Sequence, residues 1–179
     1  KLNAVSSDNN LLEDYPNCSN GLVVGLPEYS SVLGQFGYSS VYNWFISNGY
    51  PSFATNVPNG YGNTLGFVAY RNANPSYAEM FDPQTGPLSK HNVPSPDSAS
   101  SWYIPSYKEM MELYTNKSTV NAAISAAGGT VINESLYWSS TLRSYTPINA
   151  SSIAGFCNKS SFLAVMSASA APSKKSANT

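Results

Sequence analysis

Side chains capable of covalent or metal chemistry are scarce in this chain of 179 residues. It holds one histidine, His91, and two cysteines, Cys18 and Cys157. A zinc site needs three or four nitrogen, sulfur or carboxylate ligands around one point, and a cysteine nucleophile needs a base within hydrogen-bond reach. His91 lies in SKHNVPSPDS, a Pro/Ser-rich stretch whose plain reading is a solvated loop; the two cysteines are distant from each other and the chain offers no close acidic cluster. Neither a zinc centre nor a Cys-His-Asn triad can be assembled, so no metal, cofactor or catalytic residue is expected. The two cysteines allow at most one internal disulfide, and two buried or unpaired thiols are the simpler reading.

The other chemistry in the sequence is that of non-covalent contact. From Leu142 to the last residue, Thr179, 16 of 38 residues are Ser or Ala, none is Asp or Glu, and aromatics stand singly among polar neighbours. Arg143, Lys159, Lys174 and Lys175 give this stretch a charge of +4, against −5 for residues 1–141. Rigid aromatic area surrounded by adaptable hydrogen-bonding groups is what a contact surface uses. The candidate binding residues are Arg143, Tyr145, Ile148, Asn149, Phe156, Asn158 and Phe162, most of them expected to be exposed in one contiguous patch. A segment of this composition has little hydrophobic driving force of its own and is ordered only over a scaffold built elsewhere. The plain alternative for residues 163–179 is a solvated tail. A second candidate surface is the Tyr-rich region from Tyr38 to Tyr61.

The elements that must supply the scaffold are legible upstream. GLVVGL (21–26), ended by Pro27, fits a short buried strand, and residues 1–20 carry turn formers that suggest an extended arm. Trp44 and Phe45 are the expected anchors of residues 28–59. A helix is predicted over 63–71, capped by Asn63 or Thr64, with Leu65, Val68 and Ala69 on one helical face. Five prolines between 72 and 100 predict a long irregular loop. WYI (102–104) predicts a strand stopped by Pro105, with Trp102 or Ile104 facing the core. Ser106 and Glu109 have the S-x-x-E spacing of a capping box that opens a helix over 106–115, with Met110, Leu113 and Tyr114 on one face. A further helix through VNAAISAA, capped by Ser118 or Thr119, should end at Gly128 and Gly129. LYWSST returns as a strand.

Composition bounds the class. Only 11% of residues are charged, well below the roughly 25% of ordinary soluble domains, while tyrosine occurs 13 times. A net charge of −1 argues against nucleic acid, which requires a basic stripe. No window reaches the roughly 18 apolar residues of a membrane span. The length predicts one domain, residues 1–141 forming the scaffold and 142–179 a display segment. A start at Lys1 suggests a mature fragment or an excised domain.

CSNGLVVGL (18–26), GYGNT (60–64), SWYIPSYKEMMEL (101–113) and YWSST (137–141) stand in the order and rough spacing of a group of bacterial C-type-lectin-like domains. The chain resembles the C-terminal domain type of the Legionella collagen-like adhesin, and more closely the lectin-like tips of Bacteroides fimbrillin-like surface proteins. It departs from the pattern at SYAEM (76–80), where relatives have a Y-P-A-A-like segment, and it stops before a closing V-R-x-V strand. The resemblance implies an α+β, C-type-lectin-like fold: two or three helices on small, twisted, mostly antiparallel sheets with long irregular loops. It implies a non-enzymatic binding or adhesion module at a bacterial outer membrane or fimbria. Expected partners are a host or bacterial surface protein or glycan and other fimbrial subunits. Several members of the group are diversified by retroelements just after the YWSST strand. The same fold also serves formylglycine-generating oxidases, the alternative function, which need two cysteines close in space and bound metal.

Overall fold

The computed structural model describes residues 8–18, 21–25, 29–30, 39–50, 57–76, 94–97, 99–132, 137–141, 162–163 and 166–169. They form five helices and five short strands: α1 (Asn9–Asp14), β1 (Gly21–Val24), β2 (Tyr29–Ser30), α2 (Ser39–Ser47), α3 (Gly60–Ala73), α4 (Tyr107–Thr115), α5 (Lys117–Ala126), β3 (Tyr137–Trp138), β4 (Phe162–Leu163) and β5 (Met166–Ser169).

The N-terminal stretch is not an extended arm. Asp8 accepts a hydrogen bond from Leu11 N at 3.2 Å and caps α1, which buries Leu11 completely. Tyr61 then ties α1 to α3 by donating from its hydroxyl to Asp14 Oδ2 at 2.6 Å.

The core has two lobes on either side of α3. Leu11, Cys18, Tyr61, Tyr103, Leu113, Ile124 and Ile132 form one. Val41, Phe45, Phe67, Tyr70 and Ile104 form the other, with Trp44, Tyr50 and Trp102 packed at its rim. Phe45 meets Phe67 at a ring-centroid distance of 4.9 Å, and Trp44 stacks on Tyr50 at 5.5 Å. Helix α3 begins at Gly60, three residues before the expected cap, and buries Tyr61, Phe67 and Tyr70, while Leu65, Val68 and Ala69 are half-buried. Because the helix is packed from two sides, a one-face reading misassigns its core. Gly66 permits the approach: a Cβ there would come within 2.8 Å of the Phe45 ring.

The WYI stretch forms no strand beyond a single bridge at Tyr103. Tyr103 and Ile104 are both fully buried, each in a different lobe. Ile104 N donates to Thr64 Oγ1 at 3.0 Å, and Pro105 has no N–H, so a ladder cannot propagate. On α4 the buried residues are Glu109 and Leu113, one turn apart, while Met110 is half-buried and Tyr114 is 55% exposed. Helix α5 begins at Lys117 directly after Asn116, ahead of the expected Ser118 or Thr119 cap. It ends where Gly128 takes φ +76°, as expected.

Two small sheets complete the description. β1 pairs antiparallel with β5, Gly21 opposite Ser169 and Val24 opposite Met166. β4 lies between β2 and β3, antiparallel to the first and parallel to the second, with Tyr137 opposite Phe162 and Trp138 opposite Leu163. Leu163 and residues 166–169 therefore belong to sheets rather than to a solvated tail.

Candidate functional site

The sequence stretches GYGNT, WYIPSYKE and YWSST converge on one buried polar junction. Helix α3 carries no acidic residue in its first turn, and Asn59 makes no side-chain cap. Its free N–H groups are satisfied from elsewhere in the chain. Gly60 N donates to Glu109 Oε2 at 3.1 Å, and Gly62 N donates to Asp8 Oδ2 at 3.0 Å. Two carboxylates thus face the positive end of one helix dipole.

Glu109 is the hub. Its Oε2 also accepts from Ser106 N and Ser106 Oγ, both at 2.7 Å, which closes the capping box. Its Oε1 accepts from Tyr103 OH at 3.0 Å. Burial pushes the Glu109 carboxyl above the ordinary carboxylate range, and the hydrogen bonds from Ser106 and Tyr103 pull in the opposite direction. Asp8 is raised for the same first reason, opposed by the backbone N–H of Gly62 and Leu11. Burial and the neighbouring Glu109 charge push the Tyr103 hydroxyl well above its usual value, so it remains a donor.

The end of the YWSST stretch is attached to this junction at three points. Ser140 N donates to Pro105 O at 2.7 Å. Asn63 Nδ2 donates to Ser140 Oγ at 3.2 Å, and Asn63 also exchanges amide hydrogen bonds with Asn59. Tyr107 N, one of the unpaired N–H groups of the first turn of α4, donates to Thr141 Oγ1 at 2.9 Å. Leu142 follows immediately.

Trp138 and Phe162 are separated by 23 residues; after the anchored Ser140 and Thr141, residues 142–161 make the crossover from β3 to β4. Parallel neighbours cannot be joined by a tight turn and need a crossover of about a dozen residues or more. Arg143, Tyr145, Ile148, Asn149, Phe156 and Asn158 all fall in this crossover and lie outside the described residues, as do His91 and Cys157. Phe162 differs from the other six because its backbone belongs to β4, the middle strand of a sheet. Of the second candidate surface, Tyr61 is buried and helical, and Tyr42 and Tyr50 are half-buried, while Tyr38 and residues 51–56 lie outside the described residues.

Asp8, Gly60, Asn63, Thr64 and Ser140 were not singled out for this role by sequence reasoning, which took Asn63 or Thr64 for a helix cap. The available signal was the run of small, amide and hydroxyl residues in GYGNT and of hydroxyl residues in YWSST, whose partners are distant in sequence. Cys18 is buried in the first lobe, where burial raises its thiol pKa against a hydrogen bond with the Ser100 backbone. An activated thiol requires the opposite shift.

No protein-family model matches the chain. Over 152 residues it is 26% identical to "Putative fimbrium tip subunit Fim1C" of Bacteroides ovatus, a match covering 74% of this chain and 28% of that protein. Among solved structures, a fimbrial protein from Bacteroides ovatus superposes with a TM-score of 0.64 over 92% of this chain and 39% of its own, at 20% identity. The chain shares the fold of that part of the fimbrial protein. It spans less than two fifths of the length of either protein.

Proposed function

We propose that this chain is a non-enzymatic binding module of a bacterial fimbria, with a C-type-lectin-like fold that presents the β3–β4 crossover to a ligand. The observation that carries the reading is the similarity over 152 residues to a protein named as a fimbrium tip subunit. A subunit at the tip of a surface filament is the part that meets what the filament touches. The crossover has the composition such a surface needs, with single aromatics among Ser, Asn and Thr and no acidic residue. The module works outside the cell. Its partners are a protein or glycan on a host or bacterial surface and, through the remainder of a longer chain, other fimbrial subunits. No described helix is long and apolar enough to cross a membrane. Within residues 142–179, the part before β4, residues 142–161, is the stretch in which sequence diversification would change the ligand without rebuilding the scaffold.

The test is the double replacement Tyr145→Ala with Phe156→Ala. Two surface substitutions change stability by about 1 kcal/mol together at most, a shift of roughly 2–4 °C in a domain of this size. Attachment of the purified domain to cultured epithelial cells and to a glycan array should be lost. If the variant unfolds, the two aromatics belong to a core. If it stays folded and attaches as before, the crossover is not the binding surface.

A further inference from the structure

We propose that Asn63, Ser140 and Thr141 are positioning residues that set the direction in which the chain leaves the scaffold at Leu142; that the segment so aimed is a binding surface rests on the function proposed above. The three bonds at this root come from three different elements: the first turn of α3, the Pro105 carbonyl and the first turn of α4. Ser140 is completely buried and Thr141 half-buried, so the last two residues before the crossover are held in protein rather than in water.

Their partner atoms are themselves fixed. Pro105 stands between Ile104, whose N–H is taken by Thr64, and Ser106, whose N–H is taken by Glu109. Asn63 is held by Asn59. A β-branched threonine has few side-chain rotamers, so anchoring its Oγ1 also anchors its backbone. Every one of these bonds is made by residues up to 141. Changes to the crossover sequence therefore leave the aim of its root intact, whereas a change at Thr141 alters the aim without touching the crossover.

The experiment reads direction without a ligand. In a Cys157→Ser background, with Cys18 buried, nitroxide labels are placed at Leu142→Cys and at Tyr114→Cys, an exposed site on α4. Pulsed dipolar spectroscopy gives the distance distribution between them, and amide exchange at Ser140 is followed in parallel. The parent should give one narrow distance. Thr141→Val should broaden it and speed Ser140 exchange by about tenfold, the effect of losing one buried hydrogen bond. Thr141→Ser, which keeps the hydroxyl, should restore both, a rescue that a purely steric role would not produce. Ser140→Ala is the second variant and should broaden the distance as well. A distribution already broad in the parent, or equally narrow in both variants, overturns the proposal. So does loss of folding in both, which would make these bonds general supports of the fold. Because no ligand enters the measurement, failure of the binding reading leaves its outcome unchanged.

Discussion

Replacing Gly60 with alanine sets two physical expectations of opposite sign against each other. Gly60 is the first residue of α3, and glycine in a helix is worth about 0.5–1 kcal/mol less than alanine, so propensity alone makes Gly60→Ala stabilising. The tertiary structure reverses the sign. A Cβ built there falls against Glu109 Oε2 and lies 2.8 Å from both Ile104 O and Ser106 N. Two of these three neighbours are backbone atoms and cannot rotate away. Making room costs about 1–3 kcal/mol, as overpacking does in other cores. Pulling the Gly60 N–H off a buried carboxylate adds about 1.5–3 kcal/mol. After the gain in propensity, the net loss is about 2–5 kcal/mol, and a central value of about 3 kcal/mol lowers Tm by roughly 6–12 °C in a domain of this length. Guanidinium unfolding followed by far-UV circular dichroism, with the slope m unchanged, measures it. A Gly60→Ala protein as stable as the parent, or more stable, refutes the junction as described.

The buried carboxylates also predict a pH dependence. Asp8 and Glu109 have folded pKa values above their ordinary 3.8 and 4.5, so between those values and the folded ones the folded state binds more protons than the unfolded. Stability is then highest at the acid end of that window and falls as pH rises through it. Glu109→Gln keeps the shape, can still accept from Gly60 and Ser106, and should flatten the fall; a parent whose stability rises across the same window contradicts the burial. On α5, Asn121 exchanges two 2.8 Å hydrogen bonds with the Ile132 backbone. Asn121→Ala should therefore cost about 1–3 kcal/mol and free the Ile132 amide to exchange, whereas a neutral effect would mean the loop is held by Ile132 burial alone.

What the sequence determined by itself was local. The Ser106–Glu109 capping box with the helix it opens and the Gly128 stop follow from interactions within a few residues, and β1 and β3 show as short apolar and aromatic runs although their pairing partners are distant in sequence. The scarcity of histidine, cysteine and charge was equally a property of composition. Everything decided at a distance was hidden. The Asp8 cap on α1 was a local signal, three residues from Leu11, that the reading of an extended arm passed over; hidden was its second partner, Gly62, 54 residues away. Glu109 looked like a cap and proved to be the hub, because Gly60 and Tyr103 reach it from other segments. Tyr103 and Ile104 escaped the alternation rule because two core lobes cover both faces of WYI, and α3 escaped the single-face rule for the same reason. Periodicity reports how many faces of an element are buried only when there is one. A buried carboxylate finds its donors wherever folding brings them, and no spacing in the chain records that meeting.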